Sequence, residues 1–310
     1  MLIQAPLILF ALFLWPSDAD AWAPATHLYF ARELFQFSHL LPVSIRMLIT
    51  QFRPDYLYGC IAADITLGKA FVDYIYNCHN FDVGLSLLGH ARHDAEKAFV
   101  YGYLSHLAAD TVSHNYFIPY QNVEHFDDGR FKHAYWEVRL DTYFGDRVWH
   151  EVEEIMRNPR THAHDRLMDS ALRDTIFSFR TNRIFFSSML AIQRFKKWQA
   201  IIKNVNRFSM RQFHSHHLAE YNKLALSGII RFLSEGKKSR VYLVDPTGAK
   251  VMEEAATVRK MLKEMKRAGH LTEQVHQEEC QRFRSHVRKL YFEDYPIEDK
   301  SFHPSIHMKL

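Results

Sequence analysis

Cysteine is scarce in this chain: three residues in 310, Cys60, Cys78 and Cys280, none at CxxC spacing. Thiolate-rich metal sites need such pairs, so a site of that kind is excluded and any metal here falls to His and carboxylates. Cys60 and Cys78 could pair in an oxidising compartment, leaving Cys280 single, and spacing alone does not decide whether their geometry permits a bond. No internal repeat is evident. Long apolar runs are also missing: the run in LIQAPLILFALFLWPSDADA is shorter than the roughly 20 residues a membrane helix needs. It ends in the small-residue site Ala19-Asp20-Ala21, so residues 1–21 read as a secretory signal peptide cut before Trp22. Its beginning lacks Lys and Arg, which keeps an uncleaved amphipathic anchor as the alternative. Cleavage predicts a secreted or periplasmic protein with no transmembrane segment. Disorder is excluded by 47% apolar and 14% aromatic residues, enough for one large domain or two.

Charge is present but unevenly placed. Residues 1–150 carry 10 Lys/Arg against 16 Asp/Glu, whereas 151–310 carry 29 against 19. The basic half reads first as long solvated helices, and second as a surface for anionic lipid or nucleic acid. Helical spacing recurs throughout. Segment 25–38 and a second one opened by Pro42 read as buried helices, 53–82 as short helices and ordered loops, and 91–117, with few breakers, as the core helix. A loop is expected at 118–131 and a helix at about 132–156. Further helices follow at about 164–179, 183–208, 209–235, 250–267 and 271–292. Only 236–249 interrupts them, its VYLV reading as a short strand or a linker. The fold class is therefore all-α, a multi-helix bundle whose core can hold a metal site drawn from several helices.

The candidate ligands follow that pattern. His106, Asp110 and His114 stand at four-residue steps, and His133 and Glu137 repeat the step, so each set shares one helix face. These five groups exceed what one tetrahedral ion requires, which points to a multinuclear site. His106 and Asp110 could form a plain polar pair, but Leu104, Leu107 and Ala108 mark a buried segment where such a pair without a cation is costly. Asp64, between Ala63 and Ile65, could cap a helix, yet a carboxylate in an apolar stretch needs a strong partner. His27 alone would read as an ordinary histidine, and His79 beside Asn80 is ambiguous by itself. His90, His93 and Asp94 are expected to face solvent. His125, in the expected loop, is a candidate substrate contact rather than a ligand.

Taken together, Trp22-x4-His27, the AAD ending in Asp64, His79 in CHNFD, His106-x3-Asp110, His114 and His133-x3-Glu137 resemble the zinc-dependent phospholipase C family. More distantly they are similar to fungal single-strand zinc nucleases. The resemblance implies a trinuclear site with about three Zn2+ per chain. One zinc would take the amino nitrogen and carbonyl of a terminal Trp22 with His27 and Asp110. A second would take Asp64, His79, His106 and the other oxygen of Asp110. The third would take His114, His133 and Glu137. It also implies that Asp64 doubles as the base for an attacking water, and a division into residues 1–21, a catalytic domain at 22–235 and a basic helical extension at 236–310 that has no counterpart in the family.

The implied reaction is hydrolysis of a phospholipid headgroup ester at a membrane surface. Choline-preferring relatives carry an aromatic after AAD and an acid near the terminus, where this chain has Ile65 and Ala25, which weakens a cationic-headgroup cage. Tyr76 keeps an aromatic at a matching place. His114 follows Asp110 more closely than in the secreted phospholipases, and this spacing resembles the phospholipase domain of glycosylphosphatidylinositol-specific phospholipase D. That leaves C-type and D-type cleavage both open. Two rival readings are a single-strand nuclease, which Glu137 in place of Asp argues against, and a non-catalytic, zinc-stabilised module whose basic helices bind a membrane or partner.

Overall fold

The computed structural model describes residues 24–65, 78–127, 133–141, 146–171, 179–184, 187, 215–299, 301–302 and 304. Among these the protein is built from twelve α-helices with no strand, as an all-α chain should be. Helix α1 (Pro24–Gln36) opens with proline, whose fixed φ suits a first helical position, and is buried from Pro24 to Ala31. Helix α2 (Val43–Gln51) follows Pro42 as expected, but it is not a buried helix. Only Ile49 is fully enclosed, and Val43 and Met47 face outward, because one side alone packs on the core. Helix α3 (Arg53–Ala62) runs into a single 3-10 turn, Ala63–Ile65. Helix α4 (Phe81–His90) starts where the Asn80 side chain accepts the Asp82 N–H at 2.8 Å.

Helix α5 (Asp94–Val112) is the centre of the molecule. Glu96 reaches back to the backbone N–H groups of Arg92 and His93, at 2.6 and 3.1 Å, and so closes its N-terminus. From Ala98 to Val112 every residue but Tyr101 is buried, since apolar and small side chains occupy all sides of the helix. Helices α3 and α4 pack on it, as does a later helix, α10 (Ser215–Glu235). The α3–α5 crossing is very close: a Cβ on Gly59 would sit 1.9 Å from the Phe99 carbonyl oxygen, and one on Gly102 2.0 Å from that of Tyr56. Glycine at both positions is what lets the two backbones touch.

The loop expected from residue 118 does not begin there. After Val112 the chain makes a π turn, Ser113–Phe117, and continues as α6 (Ile118–Glu124). Pro119 cannot supply an N–H to a regular ladder, and a π turn just before it is one way a helix absorbs that loss. Of the helix expected over 132–156, the described residues form α7 (His133–Asp141) and α8 (Asp146–Arg157), and 142–145 lie outside the described residues. A 3-10 turn, Pro159–His164, leads to α9 (Asp165–Ala171). The helix expected at 183–208 falls almost wholly outside the described residues.

VYLV is not a strand but part of the connection between two helices. Arg240–Leu243 forms a 3-10 turn that buries Val241 and exposes Leu243, with no strand among the described residues to pair with. Helices α11 (Ala249–Arg267) and α12 (Glu273–Phe292) then fold back against α6 and the π turn.

Candidate metal centre

Four separate segments deliver the first group of polar side chains to one buried point. Helix α5 supplies His106 and Asp110, one turn apart and each 1% exposed. The 3-10 turn after α3 supplies Asp64, the turn before α4 supplies His79, and α1 supplies His27, all buried. Asp110 is central. Its Oδ1 lies 3.3 Å from His27 Nε2, and its Oδ2 lies 3.0 Å from His106 Nε2 and 3.1 Å from His79 Nε2. Asp64 Oδ1 stands 3.4 Å from His79 Nε2 and 3.6 Å from His106 Nε2. The rings of His27 and His106 stack with centroids 3.7 Å apart.

The hydrogen bonds leave ring nitrogens and carboxylate oxygens facing one another. His106 Nδ1–H donates to the Cys60 carbonyl at 2.8 Å, which leaves Nε2 of the neutral ring with a lone pair. That lone pair faces the carboxylate oxygen of Asp110 and, at 3.3 Å, Nε2 of His79. Asp110 Oδ2 and His27 Nδ1 are buried and make no hydrogen bond of acceptable geometry. Acceptors gathered around a shared point in this way fit a metal ion, and imidazole nitrogens with carboxylate oxygens fit zinc. Two triplets bring one ligand atom from each residue within 4.8 Å of the others: His27, His106 and Asp110, and Asp64, His79 and His106.

The electrostatics set Asp110 and His106 in the states a ligand needs. Burial opposes ionisation of Asp110 most strongly, yet His106, His114 and His27 together hold its carboxyl well below the usual range. Burial lowers the His106 pKa against the pull of Asp110, so this ring stays neutral. For His27, burial also lowers the pKa, but Asp110, Asp64 and Asp141 outweigh it, and for His114 Asp110 and Glu137 do the same. In the absence of a cation these two rings attract protons that metal binding would displace.

A second group lies alongside. His114, in the π turn, places Nε2 2.9 Å from Glu137 Oε1 of α7, and its ring centroid is 6.5 Å from that of His79. Its Nδ1–H donates to the Pro246 carbonyl at 2.6 Å. His133 opens α7, and its side chain lies outside the described set, as do Trp22 and Tyr76 altogether. His125 stacks on Trp136, the neighbour of Glu137, with centroids 4.9 Å apart, and its Nε2 faces Glu124 at 3.9 Å. His90, His93 and Asp94 are exposed, as expected.

Three further groups hold the ligands in place. The carbonyls of Cys60 and Pro246 orient His106 and His114, and no sequence pattern marks a carbonyl for such a role. Asp141 extends the helix face of His133 and Glu137, as its spacing one turn beyond Glu137 on α7 indicates. Its carboxylate accepts the N–H groups of Ala25 and Thr26, at 3.2 and 2.9 Å, and the Thr26 hydroxyl at 2.5 Å, so it closes the open end of the helix that carries His27. Burial is the main force that pushes this carboxyl up to about 7. Cys60, Cys78 and Cys280 are buried and form no disulfide, so Cys60 and Cys78 are not bonded to each other. Burial raises the Cys60 thiol pKa, which keeps it protonated and out of the ligand set.

No curated protein and no solved structure matches the chain. A family sequence model described as zinc-dependent phospholipase C matches residues 26–186, which include every described side chain of the cluster from His27 to Glu137 and exclude Pro246. That description supports a hydrolase of the phospholipase type working with zinc. With more than half of its length matched, the chain belongs to the zinc-dependent phospholipase C family.

Proposed function

We propose that this protein hydrolyses a phospholipid phosphodiester on its glycerol side, releasing diacylglycerol and a phosphorylated headgroup, with about three zinc ions per chain. The observation that carries the reading is the approach of His106 Nε2 to Asp110 Oδ2, 3.0 Å apart and buried, on a ring whose Nδ1–H is already given to the Cys60 carbonyl. His27 and Asp110 would hold one ion together with the amino nitrogen and carbonyl of Trp22, once residues 1–21 are removed. Asp64, His79, His106 and the second Asp110 oxygen would hold another, and His114, His133 and Glu137 a third. Zinc bound there supplies Lewis acidity: it neutralises phosphate charge and lowers the pKa of coordinated water toward about 7.

The remaining work belongs to the chain. Asp110 presents both oxygens and sets the separation of the paired sites. The Cys60 and Pro246 carbonyls hold His106 and His114 in the tautomer that leaves Nε2 bare. Asp64 takes the proton of the attacking water, and Tyr76 and His125 contact the substrate. No helix among the described residues is long and apolar enough to cross a membrane. In this reading the lipid is met at a membrane surface, by a protein that has been exported and trimmed to Trp22.

The test is elemental analysis of zinc on exported protein whose first residue is Trp22, followed by incubation with phosphatidylcholine and phosphatidylinositol vesicles. About three zinc ions per chain with release of diacylglycerol supports the proposal. Phosphatidic acid in place of diacylglycerol moves the cut to the other side of phosphorus. Cleavage of single-stranded DNA with no action on lipid makes the protein a nuclease, and zinc loading with no hydrolysis of either makes it a binding module.

A further inference from the structure

The segment beyond residue 236, outside the family match, reaches the candidate metal site through one turn, Asp245-Pro246-Thr247-Gly248. Asp at the first position, Pro at the second and Gly at the fourth are residues that favour a tight β-turn, and the Gly248 N–H closes it onto the Asp245 carbonyl at 3.1 Å. The Asp245 carboxylate stiffens it from inside, accepting the Thr247 N–H at 3.0 Å and the Thr247 hydroxyl at 2.6 Å. Two contacts then lock the turn onto the π segment. The Asn115 amide donates to the Asp245 carbonyl at 2.7 Å and to the Thr111 carbonyl at 3.0 Å. Gly248, at φ +64°, lies so close that a Cβ there would be 2.2 Å from the His114 carbonyl oxygen and 2.7 Å from the His114 Cβ. Only glycine combines that left-handed backbone with that approach. Between these two fastenings the Pro246 carbonyl receives His114 Nδ1–H at 2.6 Å.

We infer that this turn is a positioning element of the metal site, through which the C-terminal segment fixes the tautomer and aim of His114. A metal-binding imidazole must offer one nitrogen bare, and a hydrogen bond from the other nitrogen decides which. Here the acceptor is a backbone carbonyl in a turn held rigid by its own side chains, so Nε2 of His114 is always the atom turned to Glu137, 2.9 Å away. The C-terminal segment is then part of the site and not an appendage to it. This inference rests on the proposed function only in taking His114 as a zinc ligand.

The experiment measures zinc per chain on the full-length, processed holoprotein after equilibrium dialysis against a chelating buffer, for wild type, His114→Ala, Gly248→Ala and Asp245→Ala. Circular dichroism verifies the fold of each. His114→Ala marks the one zinc that depends on this ring. Gly248→Ala, which forces the turn off the π segment, is expected to lose that same zinc and keep the others. Asp245→Ala, which loosens the turn without a clash, should weaken the same zinc by about 10- to 100-fold, the usual effect of losing an outer partner. Should Gly248→Ala fail to fold, Asp245→Ala decides alone. Wild-type zinc content and affinity in the folded variants would overturn the inference while leaving the proposed function standing. A wild-type chain that binds no zinc at all would overturn both.

Discussion

His106 and Asp110, one turn apart on α5, bring Nε2 and Oδ2 to 3.0 Å of each other, while the Cys60 carbonyl accepts the Nδ1–H of the same ring. Asp110→Asn would place an amide N–H in that gap and satisfy His106 without a metal. We expect the variant to bind zinc at least about 100-fold more weakly, more than an outer-partner loss costs. The metal-free variant should also melt higher than metal-free wild type, since a buried charge is gone. Isothermal titration with zinc and thermal melts in chelator measure both. Unchanged zinc binding would remove Asp110 from the ligand set.

Asp141 acts on the site from one turn beyond Glu137. Asp141→Ala leaves the first amides of α1 without an acceptor and should cost about 1–2 kcal/mol, the range for a lost helix cap. The zinc held by His27 should weaken more than the zinc held by His114, because the helix that drifts carries His27. Urea unfolding gives the first quantity and stepwise chelation the second. Equal weakening at every site would reduce Asp141 to a general support.

The glycine crossing of α3 and α5 brings Asp64 to Asp110. Gly102→Ala would drive a methyl toward the Tyr56 carbonyl, where it would lie at 2.0 Å unless the helices separate. Overpacking of this kind costs about 1–3 kcal/mol, and the shift should also lower zinc affinity. Denaturant unfolding of the zinc-loaded and chelated forms separates the two effects. A variant as stable as wild type would show that the helices part freely.

Glu220 on α10 joins the π turn to α12. It accepts from the Tyr116 hydroxyl at 2.7 Å, pairs with Arg284, and meets Arg288 Nε at 3.2 Å, while Arg284 Nε also donates to the Tyr116 hydroxyl at 2.8 Å. Burial raises its pKa, but Tyr116, Arg284 and Arg288 outweigh burial and hold it below the ordinary 4.5. A depressed native pKa means that the stability from these contacts is complete above pH 4.5 and is lost as pH falls through the native value. Glu220→Gln should therefore show a flatter decline of melting temperature with acid below pH 4.5 than wild type. Parallel acid profiles would mean that Glu220 is not part of the acid response.

Much of the architecture is readable from local pattern. Helical spacing marked α1, α5, α10, α11 and α12, because each buries a stripe or a whole surface with a period the chain must repeat. The four-residue step from His106 to Asp110 placed both on one face, and the structure puts them there. Local pattern failed where the outcome depends on distant partners. It read Ile118–Glu124 as loop because Pro119 breaks regular helices, and it could not see that a π turn absorbs the break. It read VYLV as a short strand or a linker from residue type, and a strand needs a neighbour that is not there among the described residues.

The sequence by itself determined the fold class, the family and the chemical identity of the candidate ligands, since helix periodicity and side-chain type are local properties. Which nitrogen of His106 and His114 stands bare, which carboxylate closes the start of α1, and that a turn from beyond residue 236 leans on His114 were decided only by the tertiary structure. Each of those depends on a backbone carbonyl or amide more than 40 residues away along the chain, and backbone groups are the same at every position until folding brings them together.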